Sequence, residues 1–290
     1  MRSAAGVLLT FCLTSAAQQP AARVPNAPPP INWPSPPLAN GPLLVETAIQ
    51  RQVKLSIIKG LNQPWSMAFL PDGAILVTER PGRLRIVRNG VLDSNPVAGV
   101  PQVKARGLGG LMDLALHPRF AENKFVYFTY QKPVPSAADN AAGIITLARG
   151  RWDGNALADV HDLFSAVQGG TASRIVFGRD GMVYMTIGVG DPPEAERAQN
   201  PNDLAGKVLR LRDDGTVPPD NPFVGRAGYR PEIYTLGHRN ALGLAVNPET
   251  GAVWECENGP NGGDEVNILQ AGKNYGWPVV ATAVFIWARA

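Results

Sequence analysis

Residues 65–79, WSMAFLPDGAILVTE, hold an apolar run, a turn at Pro71-Asp72-Gly73 and a second apolar run, AILVT. Short runs rich in β-branched residues and closed off by Pro and Gly predict a strand, a turn and another strand. The pattern recurs downstream as GLMDLALHPRF from Gly110, ASRIVFGRDG from Ala172 and ALGLAVNPETG from Ala241. Further strands are predicted at Arg83 to Arg88, Phe125 to Tyr130, Met182 to Thr186 and Lys207 to Arg212. No long segment of 3.6-residue period competes with them. Three basic-apolar strands run into RNG at Arg88, RWDG at Arg151 and RDDG at Arg212, read as the ends of three units.

The turn positions Pro71, Pro118, Arg179 and Pro248 lie 47, 61 and 69 residues apart. Blades of propeller proteins repeat at roughly 50 residues, and strands that cannot bury both faces alone stack as blades about an axis. The expected fold is therefore an all-β propeller. At this spacing a ring of about six blades needs more chain than the 42 residues after Pro248 supply, so the ring is expected to be incomplete. The ending VVATAVFIWARA has no turn or closing strand, which reads as a truncated or frame-shifted product with open sheet edges.

The 290 residues are 44% hydrophobic and 18% charged, enough apolar material for a packed core. A net charge of +3, with no basic run interleaved with aromatics, argues against a nucleic-acid partner. Met1 to Ala17 has an early Arg2, an apolar middle and small residues at its end, the pattern of a cleaved export signal. The apolar part falls short of the ~20 residues needed to span a bilayer. Residues 18–42, QQPAARVPNAPPPINWPSPPLANGP, read as a proline-rich tether, and 43–290 as the propeller domain. Removing the signal leaves Cys256 as the only cysteine, so no intrachain disulfide is expected.

The densest polar segment runs from Tyr234 to Pro278 and contains YTLGHRN, ENGPNGGDEVN and GKNYGWP. Arg239 beside Asn240 offers a planar donor fork for carboxylates or carbonyls; its alternative is a loop arginine tied to backbone carbonyls. Gly259-Pro260 with Asp264 and Glu265 could present oxygens to Ca²⁺, which takes ~6–8 of them; the alternative is a solvated acidic turn. His117 reads as a packed histidine and His161 as one on a connecting segment, while His238 has polar company. No GxSxG elbow, CxxC pair or phosphate-binding glycine loop is present.

Taken together, WSMAFLPDGAILVTE, GGLMDLALHPRF, GKVLRLRDDGTVPPDNPF, IYTLGHRNALGLA, GPNGGDE and KNYGWP resemble the soluble glucose/sorbosone (aldose sugar) dehydrogenases, from Leu61 to Pro278. That resemblance implies a six-bladed propeller using PQQ and Ca²⁺. It implies that Arg239 and Asn240 face cofactor and substrate, that carbonyls of Gly259 and Pro260 hold the calcium that also binds PQQ, and that Asp264 stands nearby through water. Asn258 takes the polar position before the Gly-Pro pair. Glu265 and the carbonyl of Tyr275 match part of a second, structural calcium site.

The chain also departs from the family pattern. The general-base histidine, four residues before the arginine matched by Arg174, is replaced by Gly170, and the glutamine that contacts the quinone by Leu108. The lysine and arginines that bind the cofactor's carboxylates fall beyond Ala290. Loss of a general base costs about 10²- to 10⁴-fold, so Asp191 in TIGVGDPP is named as a substitute. The expected function is a periplasmic or secreted quinoprotein that oxidises an aldose or related sugar and passes hydride to PQQ, with the electron acceptor unidentified. Two other readings stand beside it: a non-catalytic propeller that binds a carbohydrate or protein partner, and a calcium-dependent lactonase.

Overall fold

The computed structural model describes residues 37, 39–49, 51–135, 141–260 and 262–280. The export signal and most of the tether lie outside the described residues. Two compact units are present, Met1–Ile57 and Ile58–Ala290. In the first, β1 (Leu43–Val45) pairs antiparallel with β2 (Val53–Leu55). The expected blades all belong to the second unit.

The described residues of that unit form four antiparallel sheets, each a meander of consecutive strands. The first holds β3 (Pro64–Phe69), β4 (Ile75–Glu79), β5 (Arg83–Arg88) and β6 (Val91–Leu92). The second holds β7 (Leu111–Leu116), β8 (Phe125–Lys132), β9 (Ile144–Trp152) and β10 (Leu157–Gln168). The third holds β11 (Ile175–Phe177), β12 (Val183–Ile187), β13 (Lys207–Leu211) and β14 (Ile233–Leu236). The fourth has three strands, β15 (Asn240–Val246), β16 (Val253–Asn258) and β17 (Glu265–Ile268). Among the described residues, helix is limited to the single turn α1 (Phe120–Asn123) and a 3-10 helix, Glu194–Gln199. Among the described residues no helix is long and apolar enough to cross a membrane.

The four repeated segments open the four sheets, and successive first strands lie side by side, β3 against β7, β7 against β11 and β11 against β15. This is the all-β propeller, with four blades where the sequence led us to expect part of six. One expectation is corrected. The basic motifs at Arg88, Arg151 and Arg212 follow the third strand of each blade, and a fourth strand comes after. At the first of them Asn89 and Gly90 both take positive φ, 51° and 78°, which is the backbone of a tight two-residue hairpin.

Period-2 alternation builds the core, because each inner blade buries both faces. In β8, Val126, Phe128 and Tyr130 pack toward the first blade with Leu76, Leu84 and Ile86. Tyr127 points the other way, toward Met185, Leu209 and Leu211 of the third blade. Each fully buried side chain of this kind contributes roughly 1.5–3 kcal/mol.

Polar groups join the blades near the axis. Thr78 accepts from the Ser66 N–H of its own blade and donates to the Met112 carbonyl of the next, at 3.0 and 2.6 Å. Thr186 repeats the arrangement with the Arg174 N–H and the Ala241 carbonyl, at 2.8 and 3.1 Å. Arg174 itself reaches all four blades: it lies over the Trp65 ring at 4.2 Å and donates to Asp113 Oδ1 at 3.2 Å and to the Leu242 carbonyl at 2.6 Å.

Candidate functional site

The segment Gly237 to Asn240 enters β15 through a crowded turn. Gly237 has φ +81°, and a Cβ there would meet Asn274 Oδ1 at 2.1 Å, so only glycine lets the two loops approach. The turn delivers His238 and Arg239 against the end of β16 and the loop after it. Arg239, Glu257, Gly259, Pro260, Glu265 and Trp277 line one crevice, together with Asn258.

The Arg239 guanidinium is held on three sides. Nε and Nη2 donate to Asp191 Oδ1 at 3.1 and 2.7 Å, Nη1 donates to the Asn258 carbonyl at 2.8 Å, and the Trp277 ring lies 5.5 Å away. Its backbone N–H donates to Glu257 Oε2 in a short hydrogen bond. The arginine is tied to a backbone carbonyl, as one sequence alternative had it, and it also pairs with the chain's own Asp191 carboxylate at the crevice. Asp191, the substitute base, therefore has one oxygen occupied by Arg239, with its side chain 48% exposed.

Asn240 accepts a short hydrogen bond from the Thr171 hydroxyl, which ties β15 to the segment beside Gly170. Asp264 Oδ1 accepts from the Gly259 N–H at 2.9 Å and so closes the Gly-Pro loop. Tyr275 stacks on His238, with ring centroids 4.8 Å apart. All nine candidate residues thus belong to one connected neighbourhood. Two replaced positions are built differently from the pattern the sequence resembles. A Cβ on Gly170 would lie 2.5 Å from Ile145 Cδ1, so a larger residue there requires that side-chain tip to move. Leu108 contributes its carbonyl to Trp65 Nε1 at 3.0 Å.

The donor set admits the implied groups on one side. Asn258 Oδ1 is buried and has no hydrogen-bond partner among the described residues, and carboxylates and backbone carbonyls around it are the oxygen ligands calcium takes. At Gly170 nothing can take a proton.

Sequence reasoning passed over Glu255, Glu257 and Asn267. Strand alternation within ECEN could have placed the two glutamates on one face. That face is buried: Glu255 and Glu257 are 1% and 8% exposed, and burial beside the Glu257 charge pushes the Glu255 carboxyl well above its ordinary range. Of the histidines, His117 is packed against Tyr127 and Phe177, and burial lowers its pKa. His161 lies on β10, with Nδ1 2.9 Å from the Asp159 carbonyl.

A family model described as glucose / sorbosone dehydrogenase matches residues 61–285. The aldose sugar dehydrogenase YliI of Escherichia coli is 39% identical over 232 residues, covering 77% of this chain and 61% of its own length. A crystal structure of a glucose dehydrogenase superposes with TM-score 0.71 at 43% identity, covering 77% of this chain and 65% of that one. The PQQ-bound form of an aldose sugar dehydrogenase from Streptomyces coelicolor gives TM-score 0.66 at 31% identity, covering 78% and 65%. The chain spans about three fifths of the length of two curated relatives that it matches, 61% in each case.

Proposed function

Because the chain belongs to the glucose/sorbosone dehydrogenase family, we propose that it is part of a PQQ-dependent oxidoreductase that oxidises an aldose or related sugar. One observation carries this reading: Arg239, Asn258, Gly259 and Pro260 converge on a single crevice whose buried Asn258 Oδ1 lacks a partner. When bound, PQQ supplies a two-electron acceptor and calcium a Lewis acid beside it. Gly259, Pro260 and Asp264 would furnish oxygens to the calcium, with Glu265 and the Tyr275 carbonyl at the second, structural ion. Arg239, already oriented by Asp191 and the Asn258 carbonyl, would hold an anionic or carbonyl group without much further loss of side-chain freedom. Asn240 would stand on the sugar side, next to Thr171.

Proton removal is the weak step. Gly170 offers no base, and Asp191 keeps one oxygen on Arg239. A glycine at position 170 favours a second reading, a non-catalytic propeller that binds a carbohydrate. Two finer proposals accompany the first: a ring of six blades, supported by the bare apolar faces of the first and fourth, and export to the periplasm or beyond, supported by the Met1 to Ala17 pattern.

The test adds PQQ and Ca²⁺ to purified protein and follows dye reduction with a panel of aldoses. Sugar-dependent turnover that vanishes on calcium removal is the expected result. Calorimetric sugar binding without turnover selects the second reading, and the absence of any PQQ-induced spectral change overturns the first.

A further inference from the structure

His238 has no exposed surface, and its ring is held from two sides. Nε2 meets the Thr235 hydroxyl at 2.8 Å, and the face stacks on Tyr275. The other nitrogen, Nδ1, faces two carboxylates, Glu257 Oε1 at 3.4 Å and Glu255 Oε2 at 3.7 Å. Neither contact has hydrogen-bond geometry, and Nδ1 and Glu255 Oε1 have no hydrogen-bond partner among the described residues. One ligand atom from each of the three residues lies within 4.8 Å of the others.

Nδ1 and the two carboxyl groups face one another without a hydrogen bond to close the contact, and buried polar atoms left so are costly. A positive charge belongs between them. With Zn²⁺ to nitrogen and oxygen distances of about 2.0–2.2 Å, tetrahedral ligand atoms stand about 3.3–3.6 Å apart. The observed 3.4 and 3.7 Å from Nδ1 lie close to that range, and all three ligand atoms stand within 4.8 Å of one another. Calcium fits worse, since it takes ~6–8 oxygens at longer distances and little nitrogen.

We infer that His238 Nδ1, Glu255 and Glu257 form a site for a divalent transition ion, Zn²⁺ above all, which ties β16 to the segment entering β15. Thr235 fixes the imidazole from behind. Asn267 Nδ2 supports the carboxylates at 3.0 Å from Glu255 Oε2 and 3.4 Å from Glu257 Oε1, as outer partners do in metal centres. The site shares no ligand with the calcium positions expected at Gly259, Pro260, Asp264, Glu265 and Tyr275, and it does not rest on the quinone reading.

The experiment strips the native chain with EDTA, adds Zn²⁺ alone, and combines calorimetry with anomalous diffraction at the zinc edge. The expected result is one tightly bound ion, with its anomalous peak between His238 Nδ1 and the two carboxylates. Thr235→Val, which keeps every ligand, lowers affinity by about 10- to 100-fold, and Glu255→Gln lowers it further. A peak elsewhere, no binding, or equal affinity in native and Glu255→Gln proteins overturns the site. The native-chain peak decides the matter even if a variant fails to fold.

Discussion

Lys207 has no exposed surface and gives two hydrogen bonds from Nζ, to the Arg197 and Ala205 carbonyls at 2.9 and 2.8 Å. Burial pulls its amine down from 10.5 to about 7. Between those values the unfolded chain holds a proton that the folded chain has released, so stability rises with pH across the window. Below about 7 both states hold the proton and the full cost of burying the charge applies, and above 10.5 it has vanished. The contribution approaches about 1.4 kcal/mol per pH unit. Lys207→Met should abolish that slope, as read from urea unfolding at a series of pH values between 7 and 10. At this scale Arg239 was legible from its neighbours in GHRN, whereas its anchor Asp191 lies 48 residues away in the chain. Glu255 and Glu257 escaped notice because nothing in ECEN announces which face of β16 is covered.

At the scale of the element, a threonine in the second strand of each of the first three blades, Thr78, Thr129 and Thr186, joins neighbouring blades. Thr186 satisfies a buried N–H of its own blade and a carbonyl of the next. Thr186→Val keeps the shape and leaves both groups without that partner, which costs about 1–3 kcal/mol. A lower denaturant midpoint with an unchanged slope would support this; an unchanged midpoint would refute it. Strand positions were readable because alternation and turn residues are local. The long hairpin of β9 and β10 was not anticipated, since its strength lies in pairing, Leu157 opposite Trp152 and Ser165 opposite Thr146, rather than in composition.

For the whole molecule, Arg174 gathers contacts from all four blades, and its partner Asp113 has a side chain only 8% exposed. Arg174→Met would take away that carboxylate's counter-charge while the Ser66 hydroxyl and the Ile175 N–H remain on it, at a cost of about 3 kcal/mol. Thermal unfolding should show a fall at least as large as that of Thr186→Val. The fourth blade is inverted in polarity: its buried face carries Glu255 and Glu257, while Trp254, Val266 and Ile268 are 37%, 69% and 48% exposed. Met67 and Phe69 of the first blade are similarly bare, at 47% and 56%. Apolar sheet faces of this kind drive association. The double change Val266→Lys and Ile268→Lys should therefore reduce self-association in light scattering while leaving the melting temperature within a few degrees.

By itself the sequence determined the strand-turn grammar, the four blade-opening repeats and the GHRN, Gly-Pro and KNYGWP segments, since each depends on local alternation and turn chemistry. Only the tertiary structure decided which loops meet. Arg239 finds Asp191, His238 faces two glutamates across a strand pair, and Gly170 is closed in by Ile145, all through contacts between residues far apart in the chain. The physical reason is that a β-strand specifies two faces and leaves open what covers them; the order of blades about the axis supplies that answer.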